Sequence, residues 1–265
     1  MAFSDFRARY GPWALVAGAS EGIGAEFASQ LAARGLNLVL VARRQQGLDE
    51  ISARLTSAYQ IEIRTIALDL AREDAATVLV ESTRDIEIGL LVYNAAVSLI
   101  GTYLEISLDD HLREIAVNCR TPSILTYLFA QQMVQRRHGG IILMSSMSGS
   151  QGSALVTHYG ATKAYNRVLA EGLWDELRGQ GVDVLASCPA PVNTPGYVAS
   201  APRGRMRAIE PGIVAREALD TLGKGPVNIP GTSWKMASFF MQRFIPKTTA
   251  IKLTGNATRG MYEKK

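Results

Sequence analysis

Six short apolar runs, each about the length of a buried strand, recur along the chain and alternate with stretches of helical character. The runs are WALVAGA (13–19), NLVLVA (37–42), EIRTIAL (62–68), GLLVYNAA (89–96), GGIILMSS (139–146) and VDVLASC (182–188), and helices are expected at 23–34, 45–59, 71–84, 108–137 and 159–178. A near-continuous apolar strand needs cover on both faces, and helices between successive strands supply it. The pattern predicts an α/β chain built on a doubly wound parallel sheet. Right-handed crossovers then leave the strand carboxyl ends along one edge, where ligands bind.

With 265 residues, 47% of them hydrophobic, the chain can bury the core of one large domain. We expect that domain over 1–231, with a basic, aromatic extension at 232–265. Cys119 and Cys188 stand far apart without metal-ligand spacing, so neither a disulfide scaffold nor a structural zinc site is expected. The first residues lack an apolar leader core, and no run of about 18 apolar residues occurs. The expectation is a soluble protein of a reducing compartment, the cytoplasm, with no nucleic-acid partner. The net charge of +4 is unevenly spread. From Lys224 onward there are eight basic residues and one acidic one, against 20 basic and 23 acidic before it.

The first strand runs into AGASEGIG, with Gly18, Gly22 and Gly24 spaced G-x-x-x-G-x-G ahead of a helix. Glycines there let the backbone approach a pyrophosphate, and the helix N-terminus offers free N–H groups. The second strand ends in VARR, where a carboxylate would bond the ribose hydroxyls of NAD(H). Arg43 and Arg44 instead suit a phosphate dianion, which favours NADP(H) over NAD(H). Glu21 counts against this, because its carboxylate could face the same phosphate. Further along, Tyr159 and Lys163 stand four residues apart at the start of a helix, and so share one face. A cation there favours the phenolate and lowers the phenol's pKa.

Together, AGASEGIG, LDL (68–70), NAA (94–96), Asn118, the serines Ser145 and Ser146, YGATK (159–163) and PAPVNT (189–194) resemble, in order, the motif set of the short-chain dehydrogenases/reductases. The resemblance spans roughly residues 10–225 and implies a Rossmann-type fold and hydride transfer. It implies that Tyr159 is the general acid and base, with Ser146, thirteen residues earlier, holding the substrate oxygen. Lys163 would lower the tyrosine's pKa and bind the nicotinamide ribose, and Asn118 would tie a water chain to that lysine. Cofactor contacts are implied for Gly18, Ser20, Gly22, Ile23, Gly24, Arg43, Arg44, Asp69, Leu70, Asn94, Ala95, Ala96, Tyr159 and Lys163, and for Pro189, Val192 and Thr194 beside the nicotinamide. Ala17, Val97 and Ala190 depart from the family pattern without removing a catalytic group. The opening YGPWALVAGASEGIG and the tail are similar to the branch that reduces 3-oxoacyl thioesters and steroid ketones. A hydrophobic carbonyl or alcohol substrate and a homodimer or homotetramer are therefore expected. An NAD-dependent alcohol dehydrogenase, a sugar-nucleotide epimerase and a non-catalytic nucleotide-binding regulator stand as alternatives.

The remaining histidines are read as structural. His158 points away from Tyr159 around the helix, and His111 and His138 have no metal-ligand companions in the sequence. Arg203, Arg205 and Arg207 follow a loop, about 194–210, that the family uses as a substrate lid. In SWKMASFFMQRFIP (233–246) a helix would place Trp234, Ala237, Phe240, Met241 and Phe244 on one side and Lys235, Gln242 and Arg243 on the other, with Phe239 on the wrong side. Three readings compete for this extension: packing on its own body or a partner subunit, which we favour, covering the pocket, or lying on an anionic membrane surface aided by Lys247, Lys252, Arg259, Lys264 and Lys265.

Overall fold

The computed structural model describes residues 3–200 and 208–262. Its elements run α1 (Phe3–Tyr10), β1 (Trp13–Ala17), α2 (Gly22–Ala33), β2 (Asn37–Ala42), α3 (Gln45–Ala58), β3 (Ile63–Ala67), α4 (Ala75–Ser82) and β4 (Ile88–Tyr93). Next come α5 (Leu108–Ile115), α6 (Thr121–Arg136), β5 (Gly139–Met144), α7 (Thr157–Leu177) and β6 (Val182–Ser187). The chain continues through α8 (Pro195–Ala199), α9 (Pro211–Thr221), β7 (Val227–Asn228), α10 (Thr232–Phe244) and α11 (Lys247–Tyr262). The strands form one sheet in the order β3-β2-β1-β4-β5-β6-β7, parallel throughout.

Strand side chains alternate between two cores. Ala14, Val16, Leu38, Leu40, Leu90 and Val92 face α2, α3 and α9, packing with Phe27, Leu31, Leu48, Ile51 and Val214. Leu15, Val39, Val41, Leu91, Ile141 and Val184 face α4, α6 and α7, packing with Leu79, Leu125, Phe129, Met133 and Ala170. Each fully buried aliphatic side chain contributes about 1.5–3 kcal/mol, which is why these strands tolerate no polar alternation.

Several expectations are corrected. The helix expected at 108–137 is interrupted by a π-helical turn at Ala116–Arg120, which carries Asn118. The runs at 13–19, 89–96 and 139–146 leave the sheet at Ala17, Tyr93 and Met144, so their last residues form loops at the carboxyl edge. The stretch 71–84 is helical only over Ala75–Ser82. Helices α1, α9 and α11 and strand β7 were not foreseen. Helix α1 is anchored by Tyr10, fully buried, whose hydroxyl donates to Asp183 Oδ2 on β6 at 2.7 Å. Arg9 donates to the same oxygen at 2.6 Å.

The extension packs on the body, but by a different face from the one expected. Helix α10 buries Ser238 and half-buries Trp234 and Met241, at steps of four and three residues, whereas Phe240 and Phe244 are exposed. Trp234 packs on the first core, and Gln151 Nε2 donates to Met241 Sδ at 3.6 Å. No helix among the described residues is long and apolar enough to cross a membrane.

The tightest constraint in the fold lies at Gly24. A Cβ there would stand 1.9 Å from the Gly18 carbonyl oxygen, whereas one on Gly172, in the exposed middle of α7, meets nothing within 4 Å. Gly24→Ala should therefore destabilise the protein by about 1–3 kcal/mol or more, and Gly172→Ala should stabilise it by about 0.5–1 kcal/mol. Urea unfolding of the two variants checks both signs.

Candidate active site

The loop leaving β1 turns twice through left-handed backbone, with φ +81° at Gly18 and +57° at Gly22, where a side chain would be strained. The amides of Gly18 and Ala19 donate to the Val41 carbonyl at 2.8 and 3.1 Å, tying the turn to β2. Asn94 Nδ2 donates to the Gly18 carbonyl at 2.9 Å, while the Asn94 and Ala95 amides both bond the Ala17 carbonyl. Ala17 thus links the turn to the loop after β4 through its backbone alone. Glu21, at the N-cap of α2, makes no side-chain cap, so the first N–H groups of that helix face the loop unclaimed by it.

This loop floors a cleft of about 330 Å³ at the point where the sheet order reverses, between β1 and β4. Gly18, Ser20, Gly22, Ile23, Arg43, Arg44, Asp69, Leu70, Asn94, Ala95, Ala96 and Thr194 all line it, as expected of a nucleotide site. Gly24 shapes the loop from beneath. Arg44 Nη2 is held by Glu21 at 2.8 Å, whereas exposed Arg43 makes no ion pair among the described residues. The phosphate-binding pair of the sequence reading is thereby reduced to one uncommitted guanidinium. Asp69 accepts from the Ala71 amide at 3.0 Å and from Arg113 at 2.8 Å. Partial burial opposes the Asp69 carboxylate, but these two donors and the charge of Arg43 outweigh it and hold the carboxyl below its ordinary value. Arg113 and Val117 line the cleft without having been singled out, and Val97 lines it after being named only as a departure from the family pattern. Only the fold brings Arg113 to Asp69, 44 residues away, so no local pattern marks it.

At the end of β5, Ser145 and Ser146 part company. Ser145 Oγ donates to the Lys163 carbonyl at 2.7 Å, bracing α7. Ser146 caps a short turn by accepting from the Ser148 amide at 3.2 Å, and its hydroxyl favours ionisation of the Tyr159 phenol. Lys163 is almost completely buried, with Nζ 5.6 Å from the Tyr159 ring centroid and donating to the Met144 carbonyl at 2.9 Å. Burial pushes the phenol up to about 12; the Ser146 hydroxyl opposes this and the Glu114 charge adds to it. Lys163 lies beside the phenol with its ammonium bonded to the Met144 carbonyl. Burial also pushes Lys163 down to about 8, against the opposing pull of Cys119 and Glu114.

Asn118, fully buried in the π-turn, works as a clamp. It accepts from the Val97 amide at 2.8 Å, and its Nδ2 donates to the Val97 carbonyl at 2.8 Å and to Thr162 Oγ1 at 3.0 Å. Its carbonyl accepts from Asn166 Nδ2 at 2.9 Å, so it reaches the lysine's helix rather than the ammonium. On the far side, Pro189 accepts from the Met147 amide at 3.0 Å, and Val192 pairs with Ile209 in a parallel bridge. Thr194 caps α8 by accepting from the Tyr197 amide at 3.2 Å. The loop between is pinned at both ends; Arg203, Arg205 and Arg207 lie outside the described residues. His138 pairs with Glu87 at 3.0 Å, and Glu114 and His158 converge on His111, companions that the sequence did not reveal.

A model of the short chain dehydrogenase family matches residues 12–202. The chain belongs to the short-chain dehydrogenase family. It is 33% identical over 223 residues to a 7beta-hydroxysteroid dehydrogenase of Clostridium sardiniense, covering 83% of this chain and 85% of that protein. It is also 33% identical over 217 residues to a very-long-chain 3-oxoacyl-CoA reductase of Bos taurus, covering 80% and 69%. A short-chain dehydrogenase from Sphingobium yanoikuyae, solved in complex with NADPH, superposes with a TM-score of 0.79 at 30% identity, covering 88% of this chain and 94% of that one.

This short-chain dehydrogenase is thus an oxidoreductase on a Rossmann-type sheet, and its buried lysine costs it stability. A fall from 10.5 to about 8 at Lys163 corresponds to about 3 kcal/mol held against the folded state while the ammonium is charged. Between those two pH values the unfolded chain binds more protons than the folded one, so this group makes stability rise with pH across that window. Lys163→Met should therefore melt no lower than the parent at pH 7, with its relative advantage shrinking as pH rises toward 10. Thermal melts of both proteins across that range test the sign.

Proposed function

We propose that the chain is an NADP(H)-dependent dehydrogenase/reductase that moves hydride between the nicotinamide and a hydrophobic carbonyl or alcohol. The observation that carries this is the Tyr159 phenol, which the Ser146 hydroxyl acts on and buried Lys163 flanks, on the same sheet edge as the cleft. The cleft fits a dinucleotide: its floor is bare glycine backbone, the α2 N-terminus lacks a side-chain cap, and Arg43 stands where a 2′-phosphate would reach. When bound, the nicotinamide supplies or accepts the hydride.

The chain's own residues do the rest. Ser146 holds the carbonyl oxygen, and Tyr159 gives it a proton in reduction or takes one back in oxidation. Lys163 fixes the ribose and adds positive charge to the proton-transfer end, while Asn118 holds its helix in place. Asp69 and Leu70 flank the adenine, and Pro189, Val192 and Thr194 seat the carboxamide. The names of the relatives point to a steroid ketone or a 3-oxoacyl thioester as the substrate class. Helices α10 and α11 support a walled, apolar pocket. They lie over the loop between Ser146 and Tyr159, with Thr258 bonded to Ser153 at 2.8 Å, and Tyr262 acts on the ionisation of Tyr159. Exposed Leu108, Leu112 and Ile115 on α5, with Tyr127 and Val168, support a homodimer or homotetramer.

Tyr159→Phe should abolish turnover of a ketone, steroid and 3-oxoacyl thioester panel followed by NADPH absorbance, while NADPH binding by fluorescence survives. Turnover that persists at the parent rate overturns the proton-transfer role.

The cofactor choice has its own test. Arg43→Asp should weaken NADPH binding by about 10- to 100-fold, as expected for a lost charge-assisted hydrogen bond, and shift preference toward NADH. Glu21→Gln should act the other way, releasing Arg44 toward the phosphate. A parent protein that prefers NADH overturns the assignment of VARR.

A further inference from the structure

Behind Tyr159, α5 and α7 bring together His111, Glu114 and His158, the only group of three such side chains among the described residues whose ligand atoms converge, all within 4.8 Å of one another. His111 and Glu114 lie three residues apart on α5 and so share a face, and His158 comes from the first turn of α7. His111 Nε2 lies 2.9 Å from the Tyr103 carbonyl. A carbonyl only accepts, so Nε2 carries the hydrogen and Nδ1 presents a bare lone pair. That Nδ1 is buried and has no hydrogen-bond partner. Glu114 is completely buried, with Oε2 2.5 Å from His158 Nδ1 and Oε1 without a partner.

Two orphaned buried acceptor atoms in one such group cost stability unless something answers both. We propose that His111, Glu114 and His158 bind a divalent transition-metal ion of the zinc class. Two imidazoles and one carboxylate suit such an ion and do not suit magnesium or calcium, which demand oxygen ligands. The backbone carbonyl on His111 Nε2 is the partner that fixes a ligating imidazole's tautomer and aim. Metal–ligand distances of about 2.0–2.2 Å place two ligand atoms of one ion up to about 4 Å apart. Closing the site therefore asks only for small side-chain rotations, breaking the Glu114–His158 hydrogen bond. Tyr103 stacks on His111 with centroids 4.4 Å apart and covers one side. Three protein ligands leave a coordination position for water, and the ion would staple α5 to the end of α7 that carries Tyr159.

The test uses the full chain, dialysed against chelator and then titrated with Zn²⁺ and with Co²⁺ alone. One ion per chain should bind by calorimetry, Co²⁺ should develop ligand-field absorption in the visible, and Zn²⁺ should raise the melting temperature by several degrees. His111→Ala, Glu114→Gln and His158→Asn should each weaken binding at least about tenfold. His138→Ala, which removes an imidazole paired with Glu87 at the surface, should leave it unchanged. Circular dichroism selects the folded variants among the three. Absence of stoichiometric binding by the parent overturns the proposal, as does parent-like affinity in a folded His111 or Glu114 variant.

Discussion

The contact between Gly24 and the Gly18 carbonyl governs the rest of the molecule. The first turn of α2 can lie against the end of β1 only because position 24 has no Cβ. That approach leaves the Gly18 carbonyl within reach of Asn94, whose side chain crosses from the next strand in the sheet. One atom of backbone thus joins β1, α2 and the loop after β4. The same arrangement opens the cleft between β1 and β4, because crossovers leave the two strands in opposite directions there. From that loop the connection continues: Val97 is gripped at both its amide and its carbonyl by Asn118, and Asn118 reaches Thr162 on α7, next to Lys163. The cofactor floor and the proton-transfer end are parts of one hydrogen-bonded chain.

Burial acts on the two ends of that proton-transfer pair in opposite directions. It raises the Tyr159 phenol and lowers the Lys163 ammonium, since both charged forms lose water. The protein by itself therefore favours a neutral phenol. The proton a carbonyl would take is therefore present, but on a weaker acid than a free phenol, so transfer in either direction depends on additional positive charge near it. An oxidised nicotinamide, held in the proposed cleft, would supply such charge next to Tyr159.

What was legible in the sequence was local. The apolar runs revealed the strands because burial on both faces leaves no room for polar alternation, and the glycine spacing revealed the loop because its backbone demands are met within seven residues. Tyr159 and Lys163 were legible as a pair because one helical turn sets their proximity. Groups joined by tertiary structure were not. Arg113 meets Asp69, and His158 meets Glu114, each across 44 residues, and nothing near any of the four announces the partner. That Glu21 would oppose the arginine pair was legible, but not that it would engage Arg44. For Lys163, adjacency to Tyr159 on a helix face was visible, but the Met144 carbonyl that holds the ammonium was not.

The C-terminal helices show how an amphipathic pattern misleads when both faces are apolar. Burial was assigned to the side richest in phenylalanine, yet α10 turns Trp234, Ser238 and Met241 inward. The inward face answers the shape of what it meets, since Trp234 fills a place on the first core and Met241 lies against the amide of Gln151. Phe239, Phe240 and Phe244 instead cluster with one another, at centroid separations of 5.6–6.2 Å, and stay exposed. An isolated soluble subunit gains nothing by displaying three clustered phenylalanines. The segment that covers the loop between Ser146 and Tyr159 therefore has a second apolar surface on its outer side.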